Sequence, residues 1–463
     1  MRTIFDRSIR KSSPHRSLLR LSAVAGASVL LAACHNPFHS ASVSGAGTPA
    51  TTTTTTPTPS YTVSTLGVHA GLSALSPSTV AAAASPIGVA VDPTSKYVYV
   101  ANSSSKTVSQ YTVGTDGSLS AMSTPTVTTS ASPQYLAVDP SGKYVYVSDH
   151  AHADNTIAQY TIGSGGALSP MSTATVATGR SPTYIAVDPS GKYVYVVNSS
   201  DNTVSQYTIG PGGALTPMST ATVATDTLPF GLAVDPSGKY VYVTNLTSKT
   251  VSQYTIGSGG ALTPMSPATI ATGTGPRGLA IDPGSKYLYV ANSSSATISQ
   301  YTIGSGGALT PMSTATVAAG NFPIQIAADP GGRYVFVTNY NDNTVGQYAI
   351  GSSGSLTALT PATFTVGTHP RGIATTKKYT YVINNGTNDV SQFAFDTIGG
   401  GNISPTSATV VSGNTTTFTL TPNTGYTVDH VTGCGGALST NTYTTNTITT
   451  ACTVTAYFTT SVP

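Results

Sequence analysis

Glutamate does not occur in this sequence, and neither does tryptophan. All 16 acidic side chains are therefore aspartates, so any carboxylate chemistry must use the shorter acid. Charge is scarce in general, at 8% of residues. Six of the 19 Lys and Arg and one Asp lie in residues 1–33, which leaves 13 basic and 15 acidic groups for the rest. A near-neutral chain with no basic patch excludes nucleic acid as a partner. Long apolar runs are missing too. The longest, LSAVAGASVLLAA, has 13 residues, too few to cross a bilayer as a helix. Cysteine appears three times, at Cys34, Cys434 and Cys452.

The apolar run follows Arg2, Arg7, Arg10, Lys11, Arg16 and Arg20 and ends in LAAC, the pattern of a secretory signal over residues 1–33. LAAC resembles a bacterial lipobox, which implies lipidation at Cys34 and a membrane partner through that anchor. His35 follows the cysteine where inner-membrane retention favours aspartate, so the expected location is the cell envelope, at the outer membrane. Residues 34–60 include TTTTTTPTP, lack apolar periodicity, and read as a disordered stalk. With Cys34 committed to lipid, Cys434 and Cys452 remain as a pair in an oxidising compartment. Their bridge would close a loop worth roughly 3 kcal/mol on the chain-entropy account.

What the chain has in abundance is repetition. The tyrosine opening YVYV recurs at Tyr97, Tyr144, Tyr193, Tyr240, Tyr287 and Tyr334, with a degenerate seventh copy at Tyr379. The spacings are 47, 49, 47, 47, 47 and 45 residues. Each unit reads as four short strands: YIAVD, a DPSG type I turn, KYVYVVN, a polar loop, TVSQYTI, a glycine turn and MSTATVAT. No unit contains a ten-residue helical pattern. Seven four-stranded units at this period predict an all-β, seven-bladed β-propeller over residues 61–397. Residues 61–82 match the second half of a unit, and the last unit stops after VSQFAFD. The N-terminal segment is therefore expected to supply the last blade's missing outer strand.

VDPSGKYVYVVN followed by NTVSQYTIG resembles the YVTN-type propeller repeat. It is also similar to the lactonase-like family that includes 6-phosphogluconolactonase and the carboxymuconate-lactonising enzymes. The resemblance implies lactone chemistry with a glutamate base, and this chain has no glutamate. GYTVDHVTGCGG, within residues 398–463, is similar to internalin-type B-repeat modules, with the Cys434 and Cys452 pair added, and implies a small C-terminal β domain.

Function should appear where near-identical blades differ. The aspartates of the DP turns and the Gln-Tyr pairs recur in six of the seven units and are read as structural. The residue after each blade-opening proline runs Ile87, Gln134, Thr183, Phe230, Arg277, Ile324, Arg371, and the next includes Tyr135, Tyr184 and Gln325. Arg277 and Arg371, with His369 and Arg180 nearby, suit a carboxylate or phosphate. Tyr135, Tyr184 and Gln134 would flank it. Asp226 and the histidines are the substitutes for the missing base. SDHAHADN holds a two-residue extension with His150 and His152, which together with Asp149 and Asp154 could hold zinc or a similar ion. No other cofactor is expected. The leading expectation is an exported, lipid-anchored, monomeric propeller that binds an anionic small molecule or a cell-surface protein. The alternatives are a lactone hydrolase and a structural envelope protein.

Overall fold

The computed structural model describes residues 60–66, 72–150, 155–395, 401–422 and 426–460. The signal segment, Cys34, the stalk up to residue 59, His152 and Asp154 lie outside the described residues.

Seven four-stranded antiparallel sheets form the blades. Blade 1 runs from an inner strand, Pro86–Val91, through Tyr97–Asn102 and Thr107–Val113 to an outer strand, Leu119–Thr128. The later blades repeat it, with inner strands at Ser132–Val138, Pro182–Val187, Pro229–Val234, Pro276–Ile281, Pro323–Ala328 and Pro370–Thr375. Each inner strand lies against the next, and the last lies against the first. Blade 7 takes its outer strand, Leu72–Ala81, from the N-terminal side, antiparallel to Asp389–Phe395. A ring closed in this way leaves no open edge between its first and last blades.

The second strand of each blade shows why the sequence folds so. Val98, Tyr99 and Val100 are fully buried, because both faces of this strand pack against neighbouring blades. That burial explains a continuous aromatic and β-branched run in place of polar alternation. The repeated glutamines tie blade to blade. Gln110 Oε1 accepts from Leu168 N of the next blade at 2.6 Å while its Nε2 donates to Thr124 O at 2.9 Å. The same pair of bonds recurs round the ring through Gln392, which accepts from Leu119 N at 2.5 Å and donates to Pro77 O at 3.1 Å. Each repeated aspartate accepts from the backbone of its own turn, as Asp92 Oδ1 does from Lys96 N and Tyr97 N. These groups are structural, as their repetition implies.

One departure follows from closure. Tyr99, Tyr146, Tyr195, Tyr242, Tyr289 and Tyr381 each donate a hydroxyl to a glycine carbonyl in the next blade's outer turn. Blade 6 has Phe336 at this position, and the third and outer strands of blade 7 come from distant parts of the chain, with no such turn between them. Phe336 packs instead on Phe395, at 5.5 Å between ring centroids.

The propeller begins at Leu72, not at Tyr61 as the repeat boundaries suggested. Ser60–Leu66 pairs antiparallel with Ser407–Val411 and parallel with Cys452–Thr460. Those strands and Tyr426–Thr432 form one sheet of the C-terminal module, and Gly401–Ser404, Thr417–Pro422, Thr442–Thr444 and Ala437–Ser439 form the other. Val63 is fully buried among Phe418, Leu420, Tyr443 and Val454. Cys434 and Cys452 are disulfide-bonded, with Cα atoms 5.6 Å apart.

Candidate functional site

The residues that follow each opening proline enter the inner strand at one end of the ring, the propeller mouth, and owe their position to a bulge. In blades 2, 3, 4, 5 and 7 the ladder between inner and second strand breaks just after the opening proline, and regular pairing resumes three residues later. Gln134 and Tyr135, Thr183 and Tyr184, Phe230, Arg277 and Arg371 sit in that gap, released from the pleat and turned by the bulge. Glycine is required at some of the intervening positions. A Cβ on Gly231 would lie 2.3 Å from Arg277 O, and one on Gly278 would lie 2.8 Å from Ile324 O. The close approach of inner strands therefore sets which blades can carry a side chain there.

Tyr135 and Tyr184 are buried and stacked, with ring centroids 3.9 Å apart. Phe230 completes the aromatic group, 6.5 Å from Tyr135 and 6.0 Å from Tyr184. The Tyr184 hydroxyl donates to Gln325 Oε1 on the far side of the ring. Burial raises the pKa of Tyr184 well above the ordinary tyrosine value, and the adjacent Tyr135 adds to this. Burial raises Tyr135 too, against the pull of Tyr184, Arg371 and Arg277. Neither phenol is a base at neutral pH.

Arg277 lies between two rings, its Cζ 4.9 Å from the Phe230 centroid and 5.0 Å from that of Phe322. Its Nε donates to Ser293 Oγ at 3.2 Å. Burial lowers its pKa, and the Arg371 guanidinium pushes the same way. Arg371 Cζ lies 5.5 Å from the Tyr340 centroid, and Tyr340 stacks on His369 at 4.5 Å. Arg371 Nε is buried and has no hydrogen-bond partner. Among the described residues no carboxylate pairs with either guanidinium. Cation–π contact, at about 0.5–2 kcal/mol each, holds the cations without neutralising them. Two unneutralised guanidiniums over aromatic faces, on inner strands with one blade between them and each within the other's electrostatic reach, suit a planar anion.

Phe322 and Tyr340 escaped the sequence reading. Phe322 fills the slot before the opening proline, where other blades carry Ser85, Ser181 or Gly275, and that deviation was the available signal. Phe322 and His369 have φ of 57° and 56°, the left-handed region that favours glycine. His369 N is held there by Asn343 Oδ1 at 2.8 Å. The turn sets the Phe322 ring against Arg277 and the His369 ring on Tyr340.

Other expected site residues lie elsewhere. Arg180 is a correction: its Nε meets Asp201 Oδ1 at 2.5 Å and its amide donates to Oδ2 at 2.6 Å, so its charge is already partnered on the surface. Asp226 accepts from Ser248 Oγ, Thr227 N and Thr250 Oγ1, which hold its carboxyl below the usual range. Gln134 lines a cavity between blades 1 and 2 together with His150. Asp149 is fully buried and turned inward to Ser130, away from the face His150 occupies, as neighbours on a strand must be. No group of three metal-ligating side chains occurs among the described residues.

A seven-bladed propeller with a cationic, aromatic mouth defines the class. The chain belongs to the lactonase seven-bladed β-propeller family, which matches residues 104–420. No curated protein matches it. Among solved structures, a Bacteroides fragilis protein provisionally named a 6-phosphogluconolactonase is 21% identical, with a TM-score of 0.57 over 70% of this chain and 99% of its own. The periplasmic gluconolactonase PpgL of Pseudomonas aeruginosa is 21% identical, with a TM-score of 0.56 over 68% and 94%. Kuenenia stuttgartiensis hydrazine synthase is 18% identical, with a TM-score of 0.52 over 66% and 95%. Proteins of different chemistry share this fold, so these likenesses speak to architecture.

Proposed function

We propose that the protein is a lactone hydrolase acting on sugar-derived lactones at the propeller mouth, in the cell envelope and anchored through Cys34. The observation that carries this reading is the unneutralised Arg277–Arg371 pair, with Arg371 Nε lacking a partner, in a chain of the lactonase family. Water adds to the lactone carbonyl, and the guanidiniums stabilise the resulting oxyanion. The ring C–O bond then breaks and its oxygen takes a proton, giving a hydroxy acid. His369, in the same stack as Tyr340 and Arg371, is the proposed proton acceptor from water.

Family membership thus favours hydrolysis over the binding or surface-interaction role expected first. Binding without turnover is the second reading, supported by the absence of glutamate throughout the chain. The test is turnover of δ-gluconolactone and its 6-phosphate by wild type and by Arg277→Ala/Arg371→Ala. Hydrolysis that falls at least about 100-fold in the variant supports the enzyme. Affinity lost in the variant with no turnover in wild type supports the binding protein. Neither activity nor affinity in wild type leaves the structural envelope role.

A further inference from the structure

Blade 2 breaks the repeat at a second place, away from the arginines. In blades 1, 3, 4, 5 and 7 the last residue of the second strand is an asparagine whose Nδ2 donates to a serine across the ladder. Asn102 reaches Ser109 at 2.9 Å, Asn198 reaches Ser205 at 2.8 Å, and Asn384 reaches Ser391 at 2.8 Å. Blade 2 has Asp149 and Ala158 at these positions. A carboxylate has no N–H to give, and the serine that would have received it is gone, so the two changes belong together. The cost is a carboxyl group buried where the other blades bury a neutral amide; its Oδ1 has no hydrogen-bond partner, as the Oδ1 atoms of Asn102, Asn245 and Asn384 have none. Its Oδ2 accepts from Ser130 Oγ at 2.9 Å.

Ser130 forms part of the wall of the cavity between blades 1 and 2, of 410 Å³, within the range of small-molecule sites. Its proton is committed to Asp149, so its oxygen presents lone pairs. Ser103, Ser132 and the Gln134 amide add hydroxyl and amide partners, and Lys106 and His150 supply nitrogen donors. The lining is mostly polar, and Lys106 is the formal charge within it. It shares no residue with the Arg277–Arg371 cluster.

We infer that this cavity is a second binding site, which takes a hydroxylated carboxylate of monosaccharide size. The carboxylate meets Lys106 and His150, and the hydroxyls meet Ser103, Ser130, Ser132 and Gln134. A ligand of this size, such as gluconate, binds with a Kd on the order of 1 mM.

Isothermal titration of the purified full chain with D-gluconate tests this, using wild type, Lys106→Gln/His150→Gln and Arg277→Ala/Arg371→Ala. Acetate serves as a charge-only control. Saturable gluconate binding that persists in the arginine variant and weakens at least tenfold in Lys106→Gln/His150→Gln supports the site. Equal gluconate affinity in wild type and Lys106→Gln/His150→Gln overturns it, as does acetate binding as tightly as gluconate or no gluconate binding at all. Lactone turnover in the arginine variant is scored separately, so failure of the hydrolase reading leaves this outcome distinct.

Discussion

Restoring the repeat at blade 2 by Asp149→Asn with Ala158→Ser should stabilise the protein near neutral pH and leave it unchanged in acid. Burial raises the Asp149 carboxyl from the model-compound value of 3.8 to about 6, opposed by the Ser130 hydroxyl and the amides of the 130–131 turn. The folded state therefore favours the protonated acid. In the wild type, that preference costs nothing below about pH 4, where the group is neutral whether folded or not. Between pH 4 and 6 the unfolded chain ionises while the folded one resists, and stability falls. Above about pH 6 the full penalty stands. The rise to about 6 costs the folded state about 3 kcal/mol once the group is ionised. Asparagine carries no charge, and the introduced serine hydroxyl would accept its N–H as Ser205 does from Asn198. Groups common to both proteins cancel in the comparison. Thermal melts followed by circular dichroism should show the double variant roughly 5 °C higher at pH 7.5 and coincident with wild type at pH 4. A gap of equal size at both pH values, or a variant less stable at pH 7.5, refutes the reasoning.

Gly231→Ala would press a methyl group against Arg277 O, which Thr244 Oγ1 already holds at 2.6 Å. We expect a loss of about 1–3 kcal/mol in denaturant titration and a displaced Arg277, read as weakened binding of anionic ligands at the mouth. Cys434→Ser/Cys452→Ser removes the module's staple, at a cost of about 3 kcal/mol. Limited proteolysis should then cut the C-terminal module while the propeller survives, and simultaneous loss of both would contradict separate stabilisation.

The blade count, the four strands of each blade and the source of the outer strand of blade 7 were legible because each rests on local pattern. A 47-residue period, a DP turn and a doubly buried YVYV strand declare themselves without tertiary information. The Arg277, Arg371, Tyr135 and Tyr184 group was legible as deviation from repetition. Arg180 deviates equally, yet its neighbour Asp201 takes its charge, and nothing in residue spacing announces that. Phe322 precedes the opening proline and Tyr340 follows the second strand, Tyr334–Asn339, so both lie outside the two positions read round the ring. Ser60–Leu66 has repeat-like composition, and only pairing with Ser407–Val411 and Cys452–Thr460 places it in the C-terminal module.

Sequence alone determined the architecture of this protein, because in a repeat each unit meets the same neighbours and its pattern encodes the same contacts seven times over. Tertiary structure alone decided what the exceptions do. The stack of Phe230, Arg277 and Phe322, the open Arg371 Nε and the buried Asp149 beside a cavity each depend on which side chain the next blade brings within reach. A deviation from the repeat has no second copy against which its contacts can be read. Its meaning lies in distances across the ring.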